Sequence, residues 1–78
     1  MDGIKPLCDL KVGEKCKVLN LDIRGALRRR LGDLGIIEGA EIECVPISPL
    51  GDPHAFLVCG TLIALRKEES KLINVEVM

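Results

Sequence analysis

The sequence predicts a mainly β chain: a small, closed or nearly closed five-stranded antiparallel barrel with one α-helix between the first two main strands. Three observations carry this. Glycine and proline fall as turn punctuation at spacings of roughly ten residues, the rhythm of short strands in all-β domains. Several segments between them alternate polar and apolar residues with period two. Only one stretch has the 3.6-residue apolar period of a helix, and the βαβ spacing of a parallel sheet does not appear, so a barrel is the arrangement that removes exposed sheet edges.

The first main strand is Lys15 to Leu21, where charged Lys15 and Lys17 alternate with Cys16 and Val18. The helix follows. Ile23, Leu27, Leu31 and Leu34 recur at the spacing that lines one helical face. Asp22 stands where an N-cap belongs, and Gly35 can take the left-handed conformation that ends a helix, folding Ile36 back onto Leu31. The pattern predicts a helix over Ile23 to Leu34. Glu41 to Ile47 alternates again, with Pro46 marking an edge or bend. Pro49-Leu50-Gly51-Asp52-Pro53 is dense turn chemistry. His54 to Cys59 and Thr61 to Arg66 flank Gly60 as a tight hairpin, Lys67 to Lys71 reads as a charged turn, and Leu72 to Val77 is the last strand.

These periods place Val18, Leu31, Leu34, Ile42, Phe56, Val58, Ile63, Leu65, Ile73 and Val75 in the core. If Phe56, Val58, Ile63 and Leu65 point inward, then Ala55, Leu57, Cys59, Leu62 and Ala64 point outward, and the hairpin is apolar on both faces. Such a face marks a contact, either with a second copy of the chain in a homo-oligomer or with another protein. The other reading is that the helix or the segment Ile4 to Leu10 covers it. Leu57, Leu62 and Ala64 are the candidate contact residues.

A chain of 78 residues is expected to form a single domain over 1–78, since it cannot divide its buried surface between two cores. With 47% hydrophobic and 29% charged residues it is expected to fold rather than remain disordered. Eleven basic and twelve acidic side chains give a net charge of -1, so no global field draws it to nucleic acid or to an anionic membrane. With one phenylalanine and no tryptophan or tyrosine, base stacking has little to work with. The start, Met1 to Cys8, lacks a basic and then apolar leader, and the longest uncharged stretch, Ala55 to Leu65, falls well short of the ~18 residues of a spanning helix. A cytoplasmic chain, neither exported nor inserted, is the expectation.

No phosphate-binding glycine motif is present, the one histidine, His54, follows Pro53, and no serine sits in a nucleophile elbow. The expectation is no catalytic residue, no cofactor and no enzyme activity. The four cysteines, Cys8, Cys16, Cys44 and Cys59, are dispersed with no C-x-x-C pair. Metal ligands usually arrive as a close pair, so buried reduced thiols rather than ligands are expected. The most concentrated charge is Arg28-Arg29-Arg30. It reads either as a solvated face, with Asp33 four residues after Arg29, or as a patch in which Arg28 and Arg29 dock an acidic partner while Arg30 pairs locally.

The run Leu7-Cys8-Asp9-Leu10 with Gly13-Glu14, then Arg29-Arg30-Leu31 with Leu34-Gly35, Gly39, the turn Pro49 to Pro53, Gly60, Leu65-Arg66-Lys67 and Ile73 with Val75 resembles the FeoA family of ferrous iron transport accessory proteins. The resemblance spans nearly the whole chain and rests on the ordered combination. It implies an SH3-like barrel in the cytosol that works in iron homeostasis beside FeoB, a membrane Fe(II) permease with its own GTPase domain, and that touches the membrane only indirectly through this partner. Two other roles fit the resemblance: a regulatory SH3-like module of an iron-dependent regulator system, against which the lack of a helix-turn-helix segment counts, and a small Fe(II) chaperone with transition metal ion binding.

Overall fold

The computed structural model describes residues 3–46 and 54–78. It contains β1 (Ile4–Pro6), a short 3-10 turn (Leu7–Asp9), β2 (Lys15–Leu21), α1 (Ala26–Asp33), β3 (Glu41–Val45), β4 (His54–Val58), β5 (Thr61–Leu65), α2 (Lys67–Ser70) and β6 (Ile73–Val77). The strands form one antiparallel sheet in the order β1-β6-β2-β3-β4-β5. The five expected strands are found, and β1 adds a sixth. The expected turn Pro49 to Pro53 and the end of the expected strand at Ile47 lie outside the described residues.

The sheet curls because β2 serves both halves. Its first residues, Lys15 to Lys17, pair with β3, and the stretch from Cys16 to Leu21 pairs with β6. The register slips between Val18 and Asn20, a bulge that bends the strand where it passes from one half to the other. Alternation follows the pleat: Cys16 and Val18 are buried while Lys15 and Lys17 are exposed.

Two elements differ from the sequence expectation. α1 starts at Ala26 rather than Ile23, with Gly25 at the N-cap in a left-handed conformation of φ 75° instead of Asp22. Ile23 is buried from the connection before α1, so its apolar character answers to the barrel interior and not to a helix face. Lys67–Ser70 is a single helical turn, α2, where a charged turn was expected. The Glu69 carboxylate accepts the Arg66 N–H at 3.1 Å, satisfying a donor that a helix start leaves open, and the buried Ser70 hydroxyl finds its own partner by donating to the Arg66 carbonyl at 3.2 Å.

Nine of the ten expected core residues are buried, and Leu34 is half-buried against them. Leu7, Leu10, Ile23 and Ile36 complete the same cluster, so the N-terminal segment and the connections around α1 close the barrel ends. They do not cover the outer face of the hairpin, since Leu57 and Leu62 remain 37% and 53% exposed. Ala55, expected outward and exposed, is buried. It occupies an inner strand with Val45 opposite on one side and Ala64 on the other, and a lone methyl between two cross-strand neighbours is shielded without leaving the outer face.

Candidate interaction surface

The hairpin β4–β5 turns through Cys59 and Gly60, both at positive φ (51° and 80°), which is the type I′ pair whose twist matches the flanking strands. Gly60 takes that conformation freely, whereas Cys59 bears a side chain in the left-handed region at an exposed position. Leu57 and Leu62 stand opposite each other on the outer face, with exposed Ala64 one step further along β5. The row continues across the sheet as Leu57–Glu43–Lys15, from apolar to charged. An open cleft lies there, lined by Lys15, Gly39, Glu41, Glu43, Leu57 and Cys59 among others.

The arginine cluster divides. Arg28 is largely exposed, yet its Nη1 donates to the carbonyls of Leu21 at 3.0 Å and Ile23 at 3.4 Å. It ties α1 to the exit of β2 instead of extending wholly into solvent. Arg29 and Arg30 are exposed, and among the described residues neither side chain makes an ion pair; Arg29 and Asp33 do not pair. An ion pair joins Lys5 and Glu14 at 3.0 Å. Glu14 also accepts the Lys11 N–H at 2.7 Å, and these bonds, the backbone one foremost, hold its carboxyl below the ordinary value.

All four cysteines are free thiols. Cys16 and Cys44 face the interior, where burial pushes the Cys16 thiol up to about 11 and raises Cys44 as well. Cys8 is also raised, first by burial and then by the Asp9 carboxylate beside it. Among the described residues no group of three or more His, Cys, Asp or Glu side chains is placed to hold a metal ion, and no helix is long and apolar enough to cross a membrane. Phe56, the one aromatic residue, is fully buried and offers no surface ring for proline-rich peptides or bases.

A curled antiparallel sheet in which a bulged β2 joins two halves, with its last strand set between the first two, defines a small SH3-like domain. The chain belongs to the FeoA family: the FeoA domain model matches residues 5–77. The family is one of ferrous iron transport. The chain is similar to the Fe(2+) transport protein A/Fe(2+) transporter FeoB fusion protein of Porphyromonas gingivalis, at 29% identity over 72 residues. That match covers 92% of this chain but 8% of the relative, so the chain spans less than a tenth of the fusion protein's length. The NMR structure of a FeoA-like protein from Clostridium acetobutylicum is 36% identical with a TM-score of 0.85, the match covering 100% of this chain and 91% of that one. The crystal structure of Stenotrophomonas maltophilia FeoA, a prokaryotic SH3 domain protein complexed with zinc, is 32% identical with a TM-score of 0.78, over 91% of this chain and 88% of that one.

Proposed function

We propose that the chain is a cytoplasmic accessory protein of ferrous iron uptake that acts by binding, not catalysis, on the cytosolic part of a FeoB-like Fe(II) permease bearing a GTPase domain. One observation carries the reading: in the Porphyromonas gingivalis relative, an Fe(2+) transport protein A and an Fe(2+) transporter FeoB form one chain. Joining two partners turns their encounter into an intramolecular one, which is useful only where they act together. The exposed arginines support an acidic partner surface, with Arg29 as the docking group and Arg28 holding the helix that presents it. A binding role also suits the interior thiols, because a thiol pushed up to about 11, as at Cys16, stays protonated and poorly nucleophilic near neutrality.

The experiment is co-purification of tagged chain with the cytosolic part of the permease from the same cell. Specific recovery, weakened by the double variant Arg28→Glu/Arg29→Glu, is the expected result. No recovery at low or moderate salt rejects the reading, and recovery unaffected by the variant reduces the arginines to a solvated face. A second reading, a small Fe(II) carrier, is supported by the zinc complex of the Stenotrophomonas maltophilia relative. Elemental analysis of anaerobically purified protein separates the two.

A further inference from the structure

The two edges of the sheet are unlike. β1 closes one side with three residues, Ile4-Lys5-Pro6, and so carries the short length, the lysine and the proline with which proteins blunt an edge. β5 closes the other side with Thr61-Leu62-Ile63-Ala64-Leu65, which has no charge and no proline. Among the described residues its only strand partner is β4.

The hairpin decides which backbone groups of β5 are open. In a two-residue turn the flanking pair, here Val58 and Thr61, exchanges hydrogen bonds, and alternation along the antiparallel ladder assigns Ile63 and Leu65 to β4 as well. The N–H and C=O groups of Leu62 and Ala64 therefore face away from β4. The side chains of the same two residues are exposed on the outer face, beside Leu57.

We propose that β5 is a self-recognition edge: two copies of this chain pair β5 with β5, antiparallel about a two-fold axis at Ile63. In this register Leu62 of each copy bonds through its backbone with Ala64 of the other. Thr61 stands opposite Leu65, and Ile63 opposite its own counterpart on the core side. An uncharged strand meets itself with no like-charge penalty, and large Leu62 set against small Ala64 lets the two outer faces merge into one apolar strip with Leu57 of both copies. The contact is isologous and closes at two copies, because the blunted β1 edge offers no surface on which a third could add. This occupant is distinct from the permease, which is assigned to the arginine face.

A single strand pair is smaller than a standard interface, so association belongs in the micromolar to millimolar range, on the order of 10 µM to 1 mM. The test is sedimentation of the purified chain across that range, together with residue-resolved amide hydrogen exchange. A reversible monomer–dimer equilibrium is expected, and on raising the concentration the Leu62 and Ala64 amides gain protection by about tenfold or more. Leu62→Lys abolishes both effects with the circular dichroism spectrum retained, as does Ala64→Pro, while Val12→Lys, at an exposed apolar position outside β5, leaves them in place. If Ala64→Pro does not fold, Leu62→Lys and the wild-type exchange pattern decide. A wild-type monomer throughout, a dimer whose Leu62 and Ala64 amides stay unprotected, or protection that appears only on adding the permease's cytosolic part overturns the proposal.

Discussion

Leu31 and Ile36 close α1 across Gly35: the Ile36 N–H donates to the Leu31 carbonyl at 2.9 Å, and both side chains are buried. With the Gly35 N–H bonded to the Gly32 carbonyl at 3.0 Å, this is a Schellman stop, and it requires Gly35 to hold φ near +97°. A Cβ there would meet Cys59 Sγ at 3.5 Å and Val58 Cγ1 at 3.6 Å, ordinary contacts, so the cost of Gly35→Ala is conformational. It should destabilise by ~1–2 kcal/mol, whereas Gly32→Ala, inside the helix, should stabilise by up to ~1 kcal/mol. Urea unfolding midpoints moving in opposite directions check the pair.

Phe56 is fully buried and stands opposite Cys44 on one side and Ile63 on the other. Phe56→Ala leaves a cavity that the surrounding strands cannot fill, at a cost of ~3–5 kcal/mol. That is a large share of a small domain's stability. An unchanged melting temperature would place the ring outside the core.

Stability separates the two leading arginines. Arg28→Ala removes the bonds to the Leu21 and Ile23 carbonyls and should cost ~1 kcal/mol. Arg29→Ala touches no such bond and should stay within ~0.5 kcal/mol of wild type. Chemical denaturation of the two single variants reads the difference, which vanishes if Arg28 is as free as its neighbour.

Glu14 gives the chain an acid dependence. Its folded value is depressed by the Lys11 N–H and then by Lys5, so its contribution is complete above the ordinary glutamate value and is lost as pH falls through the folded one. Glu14→Gln should therefore be less stable than wild type at pH 7, and the two should converge in strong acid. Unfolding midpoints followed from neutral to acidic pH show the convergence, and parallel curves would contradict it.

Thiol chemistry sorts the cysteines by position. Exposed Cys59 should react with an alkylating reagent first, and Cys16 and Cys44 only as fast as the fold opens. The same dispersal leads us to expect no stoichiometric iron or zinc in protein purified without oxygen. One metal per chain, lost on joint Cys→Ser substitution, would reverse that expectation.

Where a residue's type followed from its immediate neighbours, the sequence was readable. β2 runs from Lys15 to Leu21 as its alternation requires, and the Gly35 stop is where glycine after a periodic run puts it. The start of α1 was hidden because Ile23 continues the helical period while serving the barrel from the connection before the helix. β1 was hidden because three residues ending in proline carry no period, and α2 because one helical turn capped through Glu69 resembles a charged loop. The exposure of Leu57, Leu62 and Ala64 was legible from period two. The tie between Arg28 and two β2-exit carbonyls was not, since it depends on where the chain re-enters after β2.

The position of β6 sets how the chain must fold. The last strand lies between β1 and β2, pairing Glu76 with Ile4 and Val77 with Cys16, and it supplies Ile73 and Val75 to the core. Those pairings close loops almost as long as the described chain, so their entropy is lost before the buried side chains compensate for it. During synthesis the hairpin β4–β5 can form as soon as it emerges, but the central seam waits for residues 73–77 to leave the ribosome. The interior is therefore incomplete until β6 is in place.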